Sequence, residues 1–426
     1  MRVLMLSWEY PPLLVGGLGR HVHALAEAMA RAGHQVTVLT RHPAPAEQVP
    51  YDEVLGGVRV VRVAEDPSLL RFEDELLAWT MALNHALTRT GLAVCDEAPP
   101  DVVHAHDWLV AHAATTLKHH LGVPLVATLH ATEAGRHQGW LPGPMNRSIH
   151  SVEWWLTYEA RRVIACSGYM RWEVTRLFDL PPDKVDVVGN GVDLRRWQLP
   201  PEQVAAARRR WGGDGPLVVF SGRLVYEKGV QDLLAAVPRL RRRHPGFRLV
   251  VAGQGPSANE LRALARRLRL GRSVTFAGFV SDTELAALAA AADCAVVPSL
   301  YEPFGLVALE AAAAGTPVVA SDSGGLPEFV EHRRTGLSFR RPRAARPVGS
   351  RPDGGCSAEA WSAELGGGRS CRAVGIPSRR RRPAEPPRRG SVRWSRWCCR
   401  SCSWSPSSIF CSSESTSPRC GRRSGR

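Results

Sequence analysis

Short apolar runs alternate with longer amphipathic segments along most of this chain, and this alternation constrains the fold more than any other feature. In the first half, Val22, Leu25, Ala26 and Met29 recur at helical spacing in a segment that ends at Gly33. Strand-like runs, each opening into a polar turn, lie at 3–6, 35–40, 101–106, 124–130, 162–167 and 184–193. This order predicts parallel βαβ units with right-handed crossovers.

A second series of the same kind follows. Its strand-like runs lie at 216–224, 247–255, 273–279, 294–299 and 316–321, and a helix-like segment follows each of them, the last at 326–332. Two parallel sheets predict two Rossmann-like domains, which we place at 1–198 and 199–340, with a boundary near 197–203. Because ligands bind at the carboxyl ends of parallel strands, we expect a cleft between the two domains.

The charge of the chain is concentrated at its end. Of the net +15 over 426 residues, +14 comes from residues 341–426, which hold 19 Arg, no Lys and 5 acidic residues. Residues 1–340 are nearly neutral, so they carry no basic surface for a polyanion, and we expect no specific nucleic-acid partner.

Residues 341–426 cannot build a core, because Ile, Leu, Val and Met together number 6 there. One interpretation is a natural basic tail that binds RNA or anionic surfaces. The other is translation after a lost reading frame near Phe339. The exclusive use of Arg and the seven clustered Cys favour the second, so we interpret the segment as a disordered, out-of-frame product.

Few features of the sequence indicate the cellular compartment of the protein. Cys95, Cys166 and Cys294 stand alone beside apolar runs, as core cysteines of a reducing compartment do. We find neither a secretory leader nor an apolar run of about 18 residues, and we therefore expect a cytoplasmic protein without a membrane span.

The first loop, "SWEYPPLLVGGLGR" (7–20), follows a strand and precedes a helix. Its glycines, Gly16, Gly17 and Gly19, come late and read G-G-x-G, so the dinucleotide fingerprint G-x-G-x-x-G is absent.

Two later clusters contain candidate ligand-binding residues. In "SGRLVYEKG" (221–229), Arg223 and Lys228 follow a strand and precede a helix, an arrangement that suits a diphosphate unless the two are ordinary surface charges. In "YEPFGLVALE" (301–310), Gly305 permits close backbone approach. Glu310 lies in an alanine-rich helix, where a carboxylate needs a partner, either ribose hydroxyls or an arginine elsewhere.

Together, G-R-x-x-x-x-K-G (222–229), E-P-F-G-L-x-x-L-E (302–310), "VGGLGRHV" and "HAHDW" resemble the retaining GT-B glycosyltransferases of the glycogen/starch synthase type. With "SWEYPP" and "HATEAGR", the likeness is greatest to actinobacterial α-glucan synthases, and it covers residues 1 to about 340. It implies an acceptor-side first domain and a nucleotide-sugar-binding second domain.

The resemblance also implies roles for individual residues. Arg223 and Lys228 would neutralise the leaving diphosphate, and His130 would stabilise the oxocarbenium-like sugar. The other implied contacts are Glu302 to the donor sugar, Gly305 and Leu306 to sugar and phosphate, Glu310 to ribose, Gly17 to the phosphate, and Asn190 and Asp107 to the sugar and acceptor side.

No metal and no cofactor are expected, because the chain has no D-x-D motif to bridge a metal to a diphosphate. We interpret His104, His106 and His112 as packed or hydrogen-bonding residues. No carboxylate pair stands out for a double displacement. The resemblance implies that retention follows the front-face attack by which it is usually explained in this family.

The sequence departs from the family at two places. Leu14 occupies a position where enterobacterial glycogen synthases carry Lys, which leaves ADP-glucose and UDP-glucose both open as donors. Nothing after residue 340 could supply the family's last helices, so the second domain would be incomplete.

The expected activity is retaining hexosyl transfer from a nucleotide-glucose to an α-1,4-glucan. The alternatives are a mannosyl- or other hexosyltransferase acting on a lipid or small acceptor, and an inactive truncated remnant.

Overall fold

The computed structural model describes residues 1–43, 49–64 and 70–340. The first lobe is built on an eight-stranded sheet with the order β3-β4-β2-β1-β5-β6-β7-β8, in which all neighbours are parallel except β3 and β4. Its strands are β1 (Arg2–Ser7), β2 (Gln35–Arg41), β3 (Asp52–Leu55), β4 (Val58–Val63), β5 (Val102–His106), β6 (Leu125–Leu129), β7 (Arg162–Ala165) and β8 (Val185–Val187).

Helices connect these strands. They are α1 (Gly17–Arg31), α2 (Leu76–Glu97), α3 (Ala111–Leu121), α4 (Glu133–Arg136), α5 (Pro144–Glu159) and α6 (Gly168–Phe178), with 3₁₀ turns at Trp108–Val110 and Pro182–Lys184. After β8, the short helix α7 (Leu194–Trp197) leads to the second lobe, and its Trp197 lies in the core of that lobe. The predicted face of α1 is confirmed, since Val22 and Ala26 are fully buried. The β3–β4 hairpin around Gly56 and Gly57 was not predicted.

The second lobe is built on a six-stranded, all-parallel sheet with the order β11-β10-β9-β12-β13-β14. Its strands are β9 (Leu217–Ser221), β10 (Arg248–Ala252), β11 (Val274–Gly278), β12 (Cys294–Val297), β13 (Val318–Ser321) and β14 (Leu337–Phe339). Its helices are α8 (Pro201–Trp211), α9 (Val230–Arg243), α10 (Ala258–Arg267), α11 (Asp282–Ala291) and α12 (Leu306–Ala313), with 3₁₀ turns at Tyr226–Lys228, Gly271–Ser273 and Leu326–Glu328.

Two parallel α/β sheets confirm the predicted fold class. One predicted helix is wrong: in place of a helix over 326–332 there is only the 3₁₀ turn Leu326–Glu328. The Thr335 hydroxyl donates to the Phe329 carbonyl and accepts from the Glu331 amide, and these bonds draw the chain away from helical pairing and toward β14.

Direct hydrogen bonds join the two lobes. The Ser167 hydroxyl donates to the Pro303 carbonyl at 2.6 Å, and the Glu328 carboxylate accepts from the Gly168 and Tyr169 amides at 3.0 and 2.8 Å. Ser167 follows β7, and Pro303 lies between β12 and α12, so these bonds bring the carboxyl ends of the two sheets to a shared cleft.

The predicted domain boundary at 198/199 stays a prediction. The interpretation of residues 341–426 falls outside the described residues.

Candidate active site

The first loop is held by a buried carboxylate. Glu9 lies two residues after β1, and its Oε2 accepts the amide hydrogens of Val15 and Gly16 at 2.5 and 3.0 Å. Burial raises the pKa of Glu9, and the amides that point at it act in the opposite direction. These bonds fix the loop just before α1 begins at Gly17, and α1 has no side-chain cap.

The start of α1 faces the start of α12 across the cleft. A Cβ added at Gly17 would lie 3.9 Å from the Leu306 side chain, and one at Gly16 would lie 3.8 Å from the Arg223 side chain. Helix α12 also begins without a side-chain cap. Free amides at a helix N-terminus attract anions, so two such ends meet at one place.

The predicted cations lie beside these helix ends. Lys228 Nζ donates to Glu302 Oε2 at 2.8 Å, and the Ser299 hydroxyl donates to the same oxygen at 2.8 Å. Arg223 follows β9, and partial loss of hydration of its guanidinium, together with the nearby Arg136, lowers its pKa from the usual arginine value, although the residue as a whole is exposed. Lys228 and Glu302 are thus in direct contact at the carboxyl end of the second sheet, and Arg223 lies at the same end, with its side chain near Gly16 of the first loop.

The backbone around Glu302 is tightly packed. Gly305 caps α12 at φ +100°, and a Cβ there would lie 2.5 Å from the Leu326 side chain. Gly324 has φ +60°, and a Cβ there would lie 1.9 Å from the Glu302 carbonyl oxygen. Two neighbouring loops therefore fix the Glu302 backbone.

We expect Gly324→Ala to lower the free energy of unfolding by about 2 kcal/mol more than Gly315→Ala. Gly315 has a similar φ of +76° but open space around its Cβ position, so it carries only the left-handed strain of about 1 kcal/mol. Urea denaturation of both variants measures the difference. Equal losses would contradict a steric role for the contact between Gly324 and Glu302.

Glu310 is buried in α12 and pairs with the first lobe. Its Oε1 lies 3.4 Å from Nη1 of Arg20 on α1, and Nη2 of Arg20 lies 2.8 Å from Asp282. Burial raises the pKa of Glu310 to about 7, while Arg20 lowers it and Asp282 raises it. Of the two partners that the sequence suggested for Glu310, ribose hydroxyls or an arginine, the arginine is present: it is Arg20, from the opposite lobe.

Histidines line the first-lobe side of the cleft. His130 follows β6, and its Nε2 lies 3.2 Å from Nδ1 of His106, while the ring of His21 lies 4.8 Å from the His130 ring. Burial lowers the pKa of His130 to about 4 and that of His21 to about 3, so both rings are neutral at pH 7.

His21, His106 and His130 form a group whose ligand atoms lie within 4.8 Å of one another. Neutral imidazoles in such a group are the ligands that transition metals prefer. His104 instead bonds the Thr128 hydroxyl at 2.8 Å, and His112 packs on Trp155. The expectation of no metal stays a prediction.

Asp107 and Asn190 complete the first-lobe wall. Oδ1 of Asp107 accepts the His130 amide hydrogen at 2.7 Å, and burial raises the pKa of Asp107 to about 6. Asn190 lies beside the His21 ring, and its buried Oδ1 faces that ring, where a hydrogen bond to Asn190 raises the pKa of His21 against the effect of burial.

The comparisons with known proteins match both lobes. Residues 15–196 match the family model Glycosyltransferase Family 4, and residues 203–346 match Glycosyl transferases group 1. A protein named glycogen synthase from Mycobacterium tuberculosis is 51% identical over 346 residues, covering 79% of this chain and 82% of that protein. The chain is a GT-B glycosyltransferase.

Other relatives of this glycosyltransferase carry different names. A D-inositol 3-phosphate glycosyltransferase of Segniliparus rotundus is 35% identical over 76% of this chain and 73% of its own length. The solved sucrose-phosphate synthase of Thermosynechococcus elongatus superposes with a TM-score of 0.73 and 26% identity, covering 88% of this chain and 92% of that one.

Sequence reasoning missed several residues of the glycosyltransferase cleft. Glu9, Arg20 and His21 lie in the stretches "SWEYPP" and "VGGLGRHV", which carry the family resemblance, but no spacing rule singles these three residues out. Tyr301 accepts the Thr132 amide hydrogen at 3.1 Å and donates to Glu173 at 2.8 Å, both in the first lobe. Its position directly before Glu302 was the available signal.

Within the described ranges, no helix is both long and apolar enough to cross a membrane.

Proposed function

We propose that this glycosyltransferase transfers glucose, with retention, from ADP-glucose or UDP-glucose to an α-1,4-glucan. The observation that carries the proposal is the meeting of two uncapped helix starts, at Gly17 and Leu306, with the cations Arg223 and Lys228. This arrangement suits the diphosphate of a nucleotide sugar. The glycogen synthase that shares 51% identity supports glucose as the sugar and glucan as the acceptor.

The donor diphosphate would lie between the lobes. Arg223 and Lys228 would neutralise its charge, and the amides of Gly17, Gly305 and Leu306 would donate to its oxygens. Their positions are fixed before the donor binds, so little reorganisation is needed as charge develops on the leaving group.

The sugar and the ribose would be held by buried polar groups. Glu302, oriented by Lys228 and Ser299, would accept from donor-sugar hydroxyls. The neutral ring of His130 would lie on the hydroxymethyl side and stabilise the oxocarbenium-like centre. Glu310 would accept ribose hydroxyls, and Asn190 and Asp107 would line the sugar and acceptor side.

The reaction breaks the bond between the anomeric carbon and the diphosphate oxygen, and it forms a bond from that carbon to an acceptor hydroxyl oxygen on the same face. The electron pair of the broken bond leaves with the nucleoside diphosphate, whose oxygen takes the proton of the acceptor hydroxyl. Catalysis would therefore depend on stabilising the departing phosphate, and closure of the lobes would exclude water.

A second candidate is hexosyl transfer to a small acceptor. The relative named D-inositol 3-phosphate glycosyltransferase, at 35% identity, favours it. The two candidates share the donor site proposed here and differ only in what occupies the acceptor side.

The test is a matrix of donors and acceptors. The full chain, and a version with the reading frame restored after Phe339, receive ADP-glucose, UDP-glucose or GDP-mannose with glycogen or with inositol phosphate. Nucleotide release and product growth are followed, and the anomeric proton of the product reports retention. We expect glycogen growth with one glucose donor and an α product. Transfer to inositol phosphate alone would favour the second candidate, and no transfer from either chain would overturn both.

A further inference from the structure

Arg20 reaches from the first lobe to two acidic groups of the second. Its Nη2 lies 2.8 Å from Oδ1 of Asp282 on α11, and its Nη1 lies 3.4 Å from Oε1 of Glu310 on α12. A guanidinium presents its donors in a fixed plane, so one arginine can hold two carboxylates in a set geometry. These two contacts exist only while the lobes are close together.

Glu310 has little else to pair with. It is 6% exposed, and the charged groups that face it among the described residues are Arg20 and Asp282. The residues that line a small cavity together with Glu310, among them Trp197 on α7, Val219 on β9 and Leu285 on α11, carry no charge. No hydrogen bond from a described residue reaches Oε2 of Glu310, so this oxygen can accept one from a ligand.

We propose that Arg20 is a positioning residue for donor binding: it orients the carboxylate of Glu310 toward the ribose and makes that orientation depend on lobe closure. This inference rests on the proposed function, because it takes Glu310 as the ribose acceptor. Arg20 does not touch the reacting atoms in this arrangement.

We expect Arg20→Ala to raise the KM for the sugar-nucleotide donor about ten- to a hundredfold, since a charge-assisted hydrogen bond that orients Glu310 is lost. The kcat should change less than about threefold, because the groups at the diphosphate stay in place. The matched control is Arg31→Ala on the same helix; the Arg31 side chain is 67% exposed, and among the described residues its ion-pair partner is Glu27. It should leave both constants unchanged.

The pH profile gives a readout that a purely structural role would not move. The pKa of Glu310 is about 7, so kcat/KM for the donor should rise as pH passes through 7 and the carboxylate forms. Loss of the Arg20 cation should move this rise to higher pH. Asp282→Asn removes a negative charge and should move it to lower pH. Shifts in the same direction, or none, would overturn the inference.

Glu310→Gln separates this inference from the proposed function. The test uses ADP-glucose and UDP-glucose as probes. If Glu310→Gln raises the donor KM and Arg20→Ala does not, the positioning role fails and the ribose assignment stands. If Glu310→Gln leaves KM unchanged, the ribose assignment itself fails. If Arg20→Ala lowers kcat at constant KM, Arg20 acts on the leaving group, and the inference is wrong.

Discussion

Lys228→Ala is expected to lower kcat by about a hundred- to a thousandfold, in line with the loss of one preorganised group that stabilises developing charge. Lys228 is fixed by its 2.8 Å bond to Glu302 Oε2 at the place where the diphosphate is proposed to leave. Its charge would act mainly on the transition state, because negative charge grows on the leaving group as the glycosidic bond breaks. Steady-state kinetics with saturating donor and glycogen measure the loss.

Lys184→Ala is the matched control. Lys184 Nζ donates to the Tyr158 carbonyl at 2.9 Å in the first lobe, at the opposite end of the sheet from the cleft. That variant should keep its full kcat. Lys228→Arg should restore part of the activity, because it keeps the charge and changes the geometry. Full activity in Lys228→Ala would remove this residue from the proposed machinery.

Much of the cleft could be predicted from the sequence for one physical reason. In parallel sheets the carboxyl ends of all strands lie at one edge, so residues directly after strand-like runs converge whatever the details of packing. Arg223 follows β9, His130 follows β6 and Glu302 follows β12, and each lies where this rule puts it. The buried position of Glu310 followed from its alanine-rich helix.

The contacts between lobes could not be predicted in this way. Arg20 and Glu310 are 290 residues apart, and periodicity within a lobe says nothing about how one sheet faces the other. Tyr301 reaches the first lobe at a place where a Cβ on Gly135 would lie 2.5 Å from its hydroxyl oxygen, and no local pattern encodes that approach. The neutral state of His130 also depends on burial produced by several elements together.

Glu302→Gln is expected to lower kcat by a similar hundred- to thousandfold. The substitution keeps the size of the side chain, so the backbone between the loops of Gly305 and Gly324 should stay in place. What is lost is the negative charge that anchors Lys228, together with one of the two carboxylate oxygens, which becomes an amide nitrogen that cannot accept a hydrogen bond. Equal unfolding midpoints for the variant and the natural chain would show that the loss is one of catalysis.

The double variant Lys228→Ala/Glu302→Gln tests whether the pair acts as one unit. If Glu302 works partly by holding Lys228, removing both should cost little more than the larger single loss, because the second change has nothing left to disrupt. Independent roles would instead multiply the two losses. Since Nζ and Oε2 are 2.8 Å apart, we expect the smaller, non-multiplicative loss. A multiplied loss would mean that Glu302 acts on the donor sugar without needing Lys228, and the ion pair would then be a consequence of their shared position at the strand ends.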